Sequence, residues 1–177
     1  PENPLRIAED ASTRIYIKVP VWVRLALESS QSAIMLDLPS IPLSKTWFGA
    51  YTDGELCYWL SSGARREAVP DPEQPNMAIC PILLIDKSAE DLNVEKICLR
   101  NGNLTLFDDG AQLWADETQI IYKGMTEVSQ IEVTGKAPAE SPNAMVISSP
   151  REVQRKSISA KTFSSLKELP GLGFLTR

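Results

Sequence analysis

The stretch TRIYIKVPVWVRLALE, Thr13 to Glu28, decides how the chain reads. Ile15, Ile17, Val19, Val21, Val23, Leu25 and Leu27 are apolar and share one parity. The other parity holds Arg14, Tyr16, Lys18, Pro20, Trp22, Arg24, Ala26 and Glu28. A period of two belongs to a β-strand with one buried face and one mostly wet face. β-branched residues dominate, and a helix disfavours both them and this spacing. Pro20 has no N–H for a ladder, so the run reads as two strands, or one bent edge strand, broken at Pro20.

Outward from that run the β pattern continues. AIMLDLPSIPL (33–43) is another extended segment, ended by Pro39 and Pro42. In WFGAYTDGELCYWL (47–60), Asp53-Gly54 is a two-residue hairpin signal, because both residues tolerate the positive φ of a type I′ turn. That turn pairs Tyr51 with Leu56 and Phe48 with Trp59. It puts Trp47, Tyr51, Leu56, Tyr58 and Leu60 on one face, and Phe48, Cys57 and Trp59 on the other. Neither face is polar, so both are expected to be covered by protein. One expected cover is the domain core; the other is the C-terminal tail, with Phe163, Leu166, Leu169 and Phe174, a neighbouring subunit or a ligand.

Pro70, Pro72 and Pro75 make a stiff connector. The expected organisation is an N-terminal β unit over 13–70, a C-terminal β-sandwich unit over 77–135 and a basic extension over 136–177. The second unit opens on the nearly continuous apolar run AICPILLID (78–86) and continues through an alternating strand from Val94 to Leu99. A second hairpin, LTLFDDGAQLWAD (104–116), turns at Asp109-Gly110 and pairs Leu106 with Leu113. TQIIYKG (118–124) and SQIEVTG (129–135) complete the series. Strands with turn signals at this spacing give an all-β fold: two linked antiparallel β-sandwich-like units with an irregular extension. In that extension KAPAESPNAMVISSP (136–150) reads as loop, and TFSSLKEL (162–169) as one short helix stopped by Pro170-Gly171.

Composition narrows the chemistry. The 177 residues are 43% hydrophobic and 23% charged, enough to bury a core. The net charge of −5 argues against a general nucleic-acid binder. Residues 1–135 hold 11 Lys/Arg against 20 Asp/Glu, and residues 136–177 hold 7 against 3. A basic tail on an acidic body is expected to dock on its own domain or stay solvated. No apolar run is long enough to span a bilayer, so no membrane insertion is expected. The opening PENPLRIAEDAS lacks the basic and apolar regions of a signal peptide; it starts without Met and reads as a trimmed or partial product.

Histidine is absent. That removes Ser-His-Asp and Cys-His nucleophile systems, imidazole metal sites and the commonest general base near neutral pH. Cys57, Cys80 and Cys98 are odd in number, widely spaced and set in apolar runs. They read as buried free thiols of a reducing cytoplasm, with no zinc or redox motif. Asp108, Asp109, Asp116 and Glu117 are the best carboxylate cluster, for glycoside cleavage or a hard cation, although turn chemistry explains Asp109. Ser164 to Lys167 matches S-x-x-K without its companion motifs. Trp22, Trp47, Trp59 and Trp114 suit either core packing or stacking on a sugar or peptide. The candidate ligand-binding residues are Trp47, Tyr51, Tyr58 and Trp59; catalytic residues, metal ligands and cofactors are expected to be none.

RIYIKVPV (14–21), GELCYWLSS (54–62) and AICPILLIDKSAEDLNVEKICL (78–99) together resemble the prokaryotic family of unknown function DUF432. In that family an early R-[IV]-[YF]-[IV] strand precedes a Y-G…G-x-[IL]-C-x-[YF]-W hairpin. Here Phe48-Gly49 stands for Tyr-Gly, and Cys57-Tyr58-Trp59 is one residue tighter. The resemblance covers about residues 13–134. It implies a cytoplasmic prokaryotic β protein and transfers no catalytic residues. The expected function is a non-catalytic binding or assembly module that self-associates or joins another protein. The alternatives are a carbohydrate- or small-ligand-binding sandwich, and a histidine-free hydrolase using Asp108, Asp116 or Glu117.

Overall fold

The computed structural model describes residues 5–27, 33–49, 51–52, 54–61, 63–94, 96–124, 129–152 and 158–160. Its strands are β1 (Leu5–Ile7), β2 (Ser12–Pro20), β3 (Trp22–Leu27), β4 (Ala33–Pro39), β5 (Ser44–Phe48), β6 (Glu55–Trp59), β7 (Met77–Asp86), β8 (Leu92–Val94), β9 (Leu106–Asp108), β10 (Leu113–Ala115), β11 (Thr118–Tyr122), β12 (Ser129–Val133), β13 (Met145–Ser148) and β14 (Ile158–Ala160). One 3₁₀ turn lies at Asn101–Asn103. The fold is all-β, as the alternation predicts.

β7 is the axis. Its run MAICPILLID is apolar on both parities, and eight of its ten residues are buried. One edge pairs antiparallel with β2, from Ser12↔Ile85 to Pro20↔Met77. The other edge is shared end to end by two strands, both parallel to β7. β10 pairs with Ala78 and Ile79, and β11 with Ile82 to Asp86. β10 leads outward to β9 and β13, and β11 to β12 and β14. The β2–β7 ladder joins segments from either side of the Pro70–Pro75 connector.

Pro81 sits inside this central strand, where a missing N–H is normally costly. Its position explains how it is accommodated. Tyr16, its partner on β2, exchanges main-chain hydrogen bonds with Arg65 (Tyr16 N to Arg65 O 2.8 Å; Arg65 N to Tyr16 O 3.0 Å). The Tyr16–Pro81 pair is therefore a non-hydrogen-bonded one, and Pro81 turns its backbone polar edge away from β2. That edge faces the gap between β10 and β11, where no ladder needs its proton.

The two faces of β7 build two clusters. Ala78, Cys80, Ile82 and Leu84 pack with Ile15 and Val19 of β2, Ile7 of β1 and Leu92 and Val94 of β8. β1 pairs antiparallel with β8, and the pair covers this face as a second layer. The opposite face carries Ile79, Phe107 and Trp114, packed against Tyr16, Ala68, Ala137 and Ala144.

Both hairpins form, with longer loops than the Asp-Gly signals suggest. β5 and β6 pair Trp47 with Leu56 and Phe48 with Glu55, leaving 49–54 as the loop; Gly49 has φ 99°. β9 and β10 pair Asp108 with Leu113 and Leu106 with Ala115. The second loop is organised by Asp109, whose carboxylate accepts from Ala111 N (2.9 Å), Gln112 N (2.8 Å), Trp114 Nε1 (2.7 Å) and Ser141 Oγ (2.8 Å). A two-residue turn would forgo the Ala111 and Gln112 bonds.

Two tests of this loop follow. Gly110 has φ +87° with open space around a notional Cβ, so the cost of a side chain is purely backbone strain. Gly110→Val is expected to cost about 1–3 kcal/mol in chemical denaturation. The Ala111 N–H, the Ser141 hydroxyl, the Gln112 N–H and the Trp114 indole N–H hold the Asp109 carboxyl down at about 2. Its folded pKa lies below the unfolded value of about 3.9, so its contribution is full above about pH 4 and lost as pH falls towards 2. The stability of Asp109→Asn should vary less with pH across that window than that of the native chain.

The C-terminal extension departs from the irregular reading. Residues 145–148 form β13, paired antiparallel with β9, and residues 158–160 form β14, paired with β12. All four residues of β13 are exposed, so it carries no alternation to betray it. Glu140 accepts from Tyr16 Oη at 2.5 Å, and Arg151 docks on β4 as described below. The expected helix at 162–169 and the apolar residues Phe163, Leu166, Leu169 and Phe174 lie outside the described residues.

Candidate functional site

β3 leaves the main sheet after Pro20. Val21 N donates to Asn76 O (3.0 Å), and Ser40 N donates to Val21 O (2.9 Å). Beyond that point, among the described residues, β3 pairs only with β4, as a two-stranded ribbon with Val23 opposite Leu38, Arg24 opposite Asp37 and Leu25 opposite Leu36. The parity that is buried at Ile15 and Val19 emerges here into solvent. Val23, Leu25 and Leu27 are 55–56% exposed, Leu38 is 50% and Leu36 is 42% exposed. The expectation that one face of Thr13–Glu28 is buried throughout is therefore corrected over its second half. The alternation is right, but nothing described covers it there.

The opposite face of the ribbon, with Trp22, Arg24 and Asp37, is tied down. Asp37 accepts from Arg24 Nη2 (3.0 Å) and from Arg151 Nη1 (2.7 and 2.8 Å). The Arg151 guanidinium lies 5.1 Å from the Trp22 ring centroid, a cation–π arrangement. Trp22 meets Tyr58 of β6 at 5.7 Å, tilted by 56°. Arg151 thus joins the start of the basic extension to the ribbon, and Trp22 joins the ribbon to the β5–β6 hairpin.

The four candidate aromatic residues separate. Trp47 and Tyr58 share one hairpin face with Leu56, and are 50%, 50% and 64% exposed. Tyr51 is in the loop at 76%. Trp59 is on the other face, with Lys96 Nζ 5.7 Å from its ring centroid. That inner face is partly covered by the segment 96–100: Phe48 is buried and Glu55 is bound to Arg100, while Trp59 is 48% exposed. The other face, with Trp47, Leu56 and Tyr58 half to two-thirds exposed, meets Trp22 of the ribbon through Tyr58. Trp114 is a core residue, 5% exposed.

The carboxylates do not converge on one cleft. Asp108 accepts from Gly110 N (2.8 Å), and Asp109 organises the loop. Glu117 pairs with Arg14. Asp116 is fully buried at the break between β10 and β11, and accepts from Thr105 N (3.1 Å) and Gly135 N (3.0 Å). Burial pushes its pKa up against those bonds. No cluster of metal-ligating side chains occurs among the described residues. A shallow cleft of about 220 Å³ lies over β2 and β7, lined by Tyr16, Lys18, Arg65, Met77 and Ile79 among others; Lys18 there is paired with Asp71.

Sequence reasoning missed the open ribbon face, although its signal was present. Two alternating apolar segments flank the polar Ser29–Ser32 stretch, which pairs Val23 with Leu38 and Leu25 with Leu36 once a hairpin is drawn.

These features define an all-β protein built on a mixed sheet, with an apolar ribbon and an aromatic hairpin face turned to solvent. The chain belongs to the DUF432 family, described as a protein of unknown function, which it matches over residues 1–167. The match extends past both ends of the stretch quoted from the sequence and takes in β1, β13 and β14. No curated protein and no solved structure matches the chain. No helix among the described residues is long and apolar enough to cross a membrane.

Proposed function

We propose that the protein is a non-catalytic assembly module whose contact surface is the apolar face of the β3–β4 ribbon, and that its partner is a second copy of the chain. The observation that carries this reading is the row Val23, Leu25, Leu27, Leu36 and Leu38, about half exposed on a ribbon whose other face is held to the body through Asp37–Arg151 and Trp22–Tyr58. A two-fold axis would set two such stripes face to face. The missing histidine, and the structural bonds that hold Asp109, Asp116 and Glu117, support the non-catalytic side of the reading. Three free thiols support a reducing, cytoplasmic setting.

Sedimentation equilibrium of the intact chain tests it. A dimer mass at micromolar concentration is the expected result, and a strict monomer at about a hundred times that level overturns it. The half-exposed rings of Trp47 and Tyr58 support a second reading, stacking on a carbohydrate or small ring. It predicts saturable quenching of tryptophan fluorescence by sugars that Trp47→Ala abolishes.

A further inference from the structure

The inner face of the β5–β6 hairpin meets the segment Lys96–Arg100 residue against residue. On β6, Glu55, Cys57 and Trp59 alternate onto one face. In the facing segment Ile97 and Leu99 pack on the core, which turns Lys96, Cys98 and Arg100 towards the hairpin. At one end Glu55 takes two hydrogen bonds from Arg100, at 2.5 and 2.8 Å. At the other end Lys96 lies over the Trp59 ring at 5.7 Å. The two segments therefore run antiparallel, and the residues midway between these contacts are Cys57 and Cys98. Cys98 Sγ lies 3.7 Å from Glu55 Oε1, inside the same row. Both thiols are free and half-buried.

We propose that Cys57 and Cys98 are a redox-responsive pair, closing to an intramolecular disulfide by exchange with a small-molecule disulfide and so pinning the hairpin to the body. The Cys57 thiolate attacks one sulfur of the small disulfide, forms a mixed disulfide and releases one small thiol. The Cys98 thiolate then attacks the Cys57 sulfur and releases the second. The two protein sulfurs are oxidised and the two small-molecule sulfurs reduced, and the two protons leave on the released thiols. Glu55–Arg100 and Lys96–Trp59 are long side chains that can adjust while the cysteines draw to disulfide distance. Cys80 takes no part, since it is fully buried.

Burial raises both thiols, and Cys98, with the neighbouring Glu55 and Cys57 adding to it, is pushed up to about 11. Closure is therefore slow at neutral pH and accelerates as pH rises, because the thiolate is the attacking species.

The test incubates the full chain with oxidised glutathione at neutral pH and at about pH 9. The expected product has lost two hydrogen atoms in intact mass. It yields one peptide bridged between Cys57 and Cys98 on non-reducing digestion, and forms at least about tenfold faster at the higher pH. Cys98→Ser is expected to stop at a stable glutathione adduct on Cys57. Stable adducts on the native chain without closure, no reaction, a bridge to Cys80, or a bridge that forms only after denaturation would each overturn the proposal.

Discussion

Asp116→Ala is expected to lower stability by about 2–3 kcal/mol, since the buried Thr105 N–H left without an acceptor costs about 1–3 kcal/mol and the more exposed Gly135 N–H, which water can reach, costs less. The two donors are Thr105 N, just before β9, and Gly135 N, just after β12. Asp116 itself stands where β10 ends and β11 begins, and its own N–H donates to Thr105 O at 3.3 Å. One carboxylate thereby ties together the two branches of the sheet, which also meet along β7. Asp116→Asn keeps one oxygen for one of the N–H groups and turns an NH₂ towards the other, so about half the loss is expected. Urea unfolding with an unchanged m-value is the measurement; a loss below about 1 kcal/mol for the alanine variant would show that the branches do not depend on this junction. The pH dependence has its own sign. Burial raises the Asp116 pKa above the ordinary carboxylate value. Its titration therefore favours the folded state most below the unfolded pKa, and that contribution is lost as pH rises through the folded one. Asp116→Asn should remove this component.

Asp116 also shows where sequence reading stops. Its neighbours in the chain, Asp108, Asp109 and Glu117, suggest a carboxylate cluster, but a cluster in sequence is not one in space. Asp109 turns inward to its own loop, Glu117 reaches across to Arg14, and Asp116 faces main chain from two distant segments. Periodicity, in contrast, reads well. Ile15 and Val19 are buried on the parity the pattern assigns, and the β7 run is buried on both faces as its composition requires. The hairpin registers fail but their faces survive. Phe48 pairs with Glu55 where Trp59 was expected, and Leu106 with Ala115 where Leu113 was expected. Both shifts are even, and an even shift keeps every side chain on its own face. β13 was illegible because all four of its residues are exposed, so hydrophobic alternation has no burial to follow. The Cys57–Cys98 row depends on two segments forty residues apart in sequence, and only the packed fold aligns them. The ribbon lies between these cases. Its apolar face can be read from the sequence, but whether anything covers that face cannot.

Leu25→Glu and Leu36→Glu are expected to weaken self-association at least about 100-fold, equivalent to roughly 2.7 kcal/mol. The two residues are cross-strand partners at the middle of the ribbon, and each is substantially exposed in the single chain, at 55% and 42%. A carboxylate there stays hydrated in the monomer and loses its water in the complex, so the change acts on assembly and spares the fold. Near-identical urea midpoints for the variants and the native chain at monomeric concentration are therefore part of the expected result. Leu56→Glu supplies the contrast. Leu56 is 64% exposed on the hairpin face with Trp47 and Tyr58, and it reports whether that face contributes to the contact. A large loss in the ribbon variants with a small loss at Leu56 places the interface on β3 and β4. Losses of similar size at all three positions join both surfaces in the assembly contact. If the ribbon variants sediment like the native dimer, the ribbon is not the contact. If Leu56→Glu alone dissociates it, the aromatic hairpin face is the assembly surface instead.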